Sequence, residues 1–151
     1  MKSGVSRCFY SLEDLREHYI QSVYALKLGK LLHDERNVFL YEDYAIFHVV
    51  EACSAAGDLK KYCHPSLLKL IEYDKQNNTS FVQTLAKYVY NSKNVAETAN
   101  DLHIHRNTIL YRIEKISEIM NVDLTNSNII LQLHFSFKII EYENKCKIYH
   151  T

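Results

Sequence analysis

Residues 94–116 read NVAETANDLHIHRNTILYRIEKI, and this stretch decides how the rest of the chain is to be understood. Asn94 followed three residues later by Glu97 has the spacing of a capped helix start, with the acid answering the cap reciprocally. Ala99 and Leu102 then face inward, and the small side chain of Ala99 lets a second helix cross closely. Leu102, His103 and Ile104 make a tight turn with Ile104 as an apolar plug beneath it. His103 stands where a left-handed backbone is expected, which His tolerates better than most residues. Beyond the turn, Ile109, Ile113, Ile116 and Met120 recur at spacings of 4, 3 and 4, so a helix over residues 105–120 turns this stripe toward a core. Thr108, Tyr111, Arg112 and Lys115 occupy a flank away from it. Helix, tight turn and helix in this order describe a helix-turn-helix.

A recognition helix meets base edges with its N-terminal turns, while its free amides and positive dipole end attract phosphate. His105, Arg106, Asn107 and Thr108 occupy that end. Arg pairs bidentately with guanine and Asn with adenine, so Arg106, Asn107 and Arg112 are suited to base reading. Tyr111 and Lys115 suit phosphate contacts. The pattern is shared with other amphipathic helical hairpins, so it leaves two functions open: a sequence-specific DNA-binding regulator, or a protein-interaction and dimerisation module that does not bind DNA.

Working upstream, Asn77 to Ser80 form a polar break, and Ser80 with Gln83 has capping-box spacing, which puts the start of the last domain at 79. A helix follows over Phe81 to Tyr90, then a loop to Asn94. Farther back, Ser11 reads as a helix cap, and Leu12, Leu15, Tyr19, Val23 and Leu26 make an apolar stripe running to about Leu32. Short apolar runs at Val5 to Phe9 and Asn37 to Tyr41 read as strands on either side. Strand, helix, strand over residues 1–43 reads as the tail of a sheet domain, whose first part is expected to lie outside this chain. Residues 44–78 form a short helical connector in pieces at 45–52, 59–63 and 65–73, with Pro65 at a first helical position. Downstream, residues 128–142 alternate like a strand and also carry a helical face. Their length, with Asn126 and Ser127 as caps, favours helix.

Bulk composition narrows the class. Hydrophobic residues at 47% and charged residues at 24% are globular values, while three Gly and one Pro supply too few turns for a many-stranded sheet. The expected fold is therefore mainly α. No apolar run reaches membrane-spanning length and the N-terminus lacks the apolar segment of a signal peptide, so a cytoplasmic protein with no membrane partner is expected. The four Cys lack zinc-site spacing and read as reduced thiols. His103 and His105 straddle a turn with no third ligand in sight, and Cys63 with His64 before Pro65 reads as a helix start. Neither metal, cofactor nor enzymatic activity is expected. The twelve Tyr read as packing residues rather than as a stacking platform for bases.

Net charge is zero, with nine basic against eleven acidic residues in 1–74 and nine against seven in 75–151. Nucleic-acid affinity then has to come from shaped contacts and dimerisation rather than from bulk charge.

The string over residues 94–116 resembles the C-terminal helix-turn-helix of the PucR/CdaR family of bacterial transcription regulators. The family shows an H-R-N-T-hydrophobic-x-Y-R segment, here His105 to Arg112. It continues with an x-G-hydrophobic-D-L turn, here Asn121 to Leu124, and a last helix. Leu67 to Asp74 and Thr84 with Leu85 resemble the stretch before the motif. Gly4-Val5-Ser6 and Tyr41-Glu42-Asp43 resemble the close of the family's degenerate GGDEF-like domain. The resemblance implies a helix-turn-helix domain over 79–151 preceded by a small α/β remnant of a GGDEF-like domain over 1–43. It also implies double-stranded DNA as partner, with any effector bound by upstream domains absent from this chain. The missing Gly-Gly pair argues against cyclic-dinucleotide chemistry. Two departures stand out. Leu110 replaces a frequent Arg, at the expense of a DNA contact, and Asn121 replaces a Gly, where Asn accepts the left-handed conformation. The recognition segment is also similar to that of the Fis family, which implies a homodimer reading half-sites about one helical turn apart.

Overall fold

Parallel strands cannot be joined by a hairpin, so the chain between them must cross over. In the computed structural model, which describes residues 1–33 and 35–149, β1 (Ser3–Val5) pairs in parallel with β2 (Val38–Leu40), Gly4 standing opposite Phe39. The crossover is α1 (Leu15–Leu32), entered through a 3₁₀ turn at Leu12–Asp14 that Ser11 caps by accepting from the Glu13 amide at 3.2 Å. The first strand lies upstream of the run read for it, sharing only Val5, and the second is shorter than its run. β1 ends at Val5, and the Arg7 amide bonds the Gln21 side-chain oxygen at 3.1 Å instead of a strand. β2 ends at Leu40 because α2 (Tyr41–Ser54) starts at once, with Glu42 and Asp43 at its positive end.

The buried face of α1 is not the expected one. Gln21, Ala25, Leu28, Gly29 and Leu32 turn inward, while Leu12, Leu15, Tyr19 and Val23 are exposed and Leu26 is half-buried. The helix is apolar on two sides, and close approach selects between them. A Cβ on Gly4 would overlap the Ser22 carbonyl oxygen and lie 2.7 Å from the Leu26 amide nitrogen, and one on Gly29 would overlap the Phe39 ring. The helix therefore rests on the strands where glycines let it, and large side chains are left outside. Phe39, Tyr44, Phe47 and Val50 complete this core.

The described chain divides into two compact units, Met1–Leu59 together with the chain from Lys138 on, and residues 60–137. The sequence placed divisions at 43 and 78. Contacts instead join α2 to the strand-helix-strand part and α3 (Pro65–Asn77) to the helices that follow it. Asp34 and residues 150–151, assigned above to the first and last domains, lie outside the described residues. The tail is helical as read, but longer: α7 (Ser127–Tyr149) starts after Asn126, whose side chain accepts from the Asn128 amide at 2.9 Å. The mainly α architecture follows from these seven helices and one two-stranded sheet among the described residues.

In the second unit α4 (Phe81–Tyr90) is capped from a distance. Ser80 makes no side-chain cap bond, so its box with Gln83 does not form. The Asp74 carboxylate, near the end of α3, accepts from the amides of Phe81 at 3.0 Å and Val82 at 2.8 Å and from the Thr79 hydroxyl. Asn78, with φ 53°, turns the chain back so that this reach is possible. The carboxylate satisfies two orphan amides and meets the helix dipole. Asp74→Ala should lower stability by about 1–2 kcal/mol. A urea titration would show a lower midpoint at unchanged slope; an unmoved midpoint would refute the capping role.

Candidate nucleic-acid interface

The motif is assembled from three helices that share one core. α5 (Val95–Leu102) begins at Asn94, whose side chain accepts from the Ala96 amide at 3.0 Å and the Glu97 amide at 3.2 Å. Glu97 does not reciprocate, because the Asn94 amide is bonded to the Asn91 carbonyl at 2.9 Å. At the other end His103 takes the left-handed conformation, φ 53° and ψ 40°, and the Ile104 amide returns to the Ala99 carbonyl at 3.1 Å. This closure ends α5 and aims the chain into α6 (Arg106–Met120). Ala99, Ile109, Ile116 and Met120 are buried, and Ile113 and Ile104 are half-buried, as their spacing requires.

His105 is the N-cap of α6. Its Nδ1 accepts from the Asn107 amide at 3.2 Å, which leaves the neutral ring's proton on Nε2 as an outward donor. The residue thus sets the helix start as well as standing at the candidate interface. Arg106, Asn107, Thr108 and Tyr111 follow it on the first two turns and are all exposed. Asn121, φ 51°, ends the helix in the left-handed conformation expected of it, and Ser117 donates to the Val122 carbonyl at 2.6 Å.

Two of the expected contact residues are placed differently. Arg112 is half-buried, and its Nη1 donates to the Thr84 hydroxyl at 3.0 Å. Thr84 is fully buried on α4, so this bond ties α6 to α4. Helical spacing put Arg112 on the polar flank; nothing local marks Thr84 as its partner. Lys115 is half-buried and bonded to Glu118 at 2.6 Å, and that carboxylate holds its ammonium above its ordinary pKa. The positive charge of Lys115 is therefore shared with Glu118 rather than standing alone. Sequence reading did not single out Asp101. It accepts from Asn91 at 3.2 Å and Lys87 at 3.3 Å, which hold its carboxyl below the usual range and link α4, α5 and their loop. Among the described residues no group of His, Cys, Asp and Glu could hold a metal ion, and no helix is long and apolar enough to cross a membrane.

Residues 81–139 match the family described as the PucR C-terminal helix-turn-helix domain. Over 91% of its length the chain is similar to the proline-responsive transcriptional activator PutR of Bacillus subtilis, at 24% identity over 34% of that protein. It is 25% identical to the DNA-binding transcriptional activator AdeR of the same organism, over 87% of this chain and 31% of that one. It is 28% identical to the carbohydrate diacid regulator of Escherichia coli, over 76% of this chain and 29% of that one. The chain thus spans about a third of the length of these curated relatives. No solved structure matches significantly.

Proposed function

Taking the chain as a member of the PucR/CdaR family through its helix-turn-helix at residues 81–139, we propose that it binds double-stranded DNA sequence-specifically, as part of a transcription regulator. The N-terminal turns of α6 enter the major groove. The observation that supports this best is the run His105, Arg106, Asn107, Thr108 and Tyr111. All five are exposed at a helix N-terminus that His103 and the buried Ala99 present away from the core. Arg106 and Asn107 are the base readers, paired with guanine and adenine edges. His105, through Nε2, and Thr108 and Tyr111 hold phosphate. Lys115 is a weaker phosphate anchor because Glu118 shares its charge. Arg112 is a positioning residue that fixes the angle of α6 through Thr84. The regulator works as a homodimer, and the parallel strand-helix-strand of residues 1–43 is the closing part of a GGDEF-like domain.

Selection from random-sequence duplexes tests this reading. The expected product is a paired site with half-sites about 10 base pairs apart, or a multiple of that spacing, whose affinity falls steeply with salt. A tight dimer in sedimentation that enriches no sequence, even at low salt, would instead make the chain a protein-interaction module.

A further inference from the structure

Leu110 is the one large apolar side chain besides Tyr111 that α6 leaves exposed among the described residues, at 47% of its surface. It lies four residues after Arg106 and three after Asn107, within the first two turns. At about 100° per residue it points roughly 40° from Arg106 and 60° from Asn107, so a surface that meets those two side chains meets Leu110 as well. The buried stripe of Ile109, Ile116 and Met120 is centred roughly 100° around the helix from it. Leu110 also edges an open groove lined by Tyr88, Ile113, Val122 and Leu124. An apolar group is thus held in the middle of the polar reading surface.

The major groove offers such a side chain one apolar target, the C5-methyl group of thymine. We propose that Leu110 contacts a thymine methyl in each half-site, beside the bases met by Arg106 and Asn107, and so is a specificity-determining residue. This rests on the DNA reading proposed for α6. A longer polar side chain at this position would reach a hydrogen-bonding edge. Leucine reads the one base-pair feature that carries no hydrogen bond and excludes cytosine, which lacks the methyl.

The test uses the full chain and the duplex obtained by selection. Each thymine is replaced in turn by uracil, which removes the methyl and nothing else. At one position per half-site the affinity should fall about fourfold, the worth of one buried methyl-sized group. With Leu110→Ala, folded by circular dichroism, the same replacement should have no effect, because the two changes remove the same contact. Leu110→Arg should move the preference there toward guanine. Specific binding that is indifferent to uracil at every thymine overturns this inference and leaves the reading of α6 standing. A uracil effect that persists in Leu110→Ala assigns the methyl to another residue and also overturns it. Failure of the unaltered chain to bind any sequence specifically would overturn the reading itself, and this inference with it.

Discussion

Replacing Arg106 and Asn107 together by Ala is expected to lower affinity for the selected site by roughly 10²- to 10⁴-fold while leaving the helical content and the unfolding midpoint in place. Each residue stands for about 1–3 kcal/mol of base discrimination. Both side chains are exposed, and neither takes part in a hydrogen bond or ion pair among the described residues, so their loss costs the fold little. Residual binding should be indifferent to sequence and strongly salt-dependent, since the proposed phosphate contacts would remain. Gel-shift titrations against specific and scrambled duplexes measure the contrast. Equal losses on both duplexes would show that the pair anchors phosphate and does not read bases. Arg112→Ala would be a poor substitute for this experiment. It removes the bond from α6 to the buried Thr84 hydroxyl, which keeps only its own bond to the Ser80 carbonyl, and should lower stability along with binding, so its effect on DNA would be indirect.

The second large effect lies in the other unit. Gly4→Ala should cost about 3 kcal/mol or more, because the added methyl meets the Ser22 carbonyl oxygen and the Leu26 amide nitrogen, both backbone atoms of α1. Neither can move without the helix lifting off the strands. Gly29→Ala meets the Phe39 ring, which can turn, so it should cost less. Chemical unfolding of the two variants would rank them. Wild-type stability in Gly4→Ala would mean that α1 does not rest on β1 as described.

Those glycines mark a limit on reading the chain by pattern. The stripe of Leu12, Leu15, Tyr19 and Val23 has helical spacing and larger side chains than the face that is buried, yet it is the side left exposed. Periodicity reports that a helix is amphipathic and weighs faces by hydrophobicity. It does not weigh how near a backbone can come, and here two small residues outweigh four large ones. The start of α4 was misread for a related reason. Ser80 and Gln83 have the right local spacing for a cap, but Asp74 reaches the Phe81 and Val82 amides of the same first turn with a full negative charge once Asn78 has reversed the chain.

The sequence by itself determined the features whose partners lie within a few residues. These are the caps at Ser11, Asn94 and Asn126, Pro65 at a first helical turn, the left-handed positions at His103 and Asn121, and the exposed positions of His105, Arg106, Asn107, Thr108 and Tyr111. Each depends on backbone amides and side chains held together by covalent connection, so spacing alone specifies them. The tertiary structure decided what depends on groups far apart in the chain. It chose the face of α1, gave the cap of α4 to Asp74, and bound Arg112 to a threonine 28 residues away, which makes one expected base reader a brace between α6 and α4. Those outcomes follow from which surfaces can approach closely and which buried polar groups must be paired, and neither condition exists until the helices have packed.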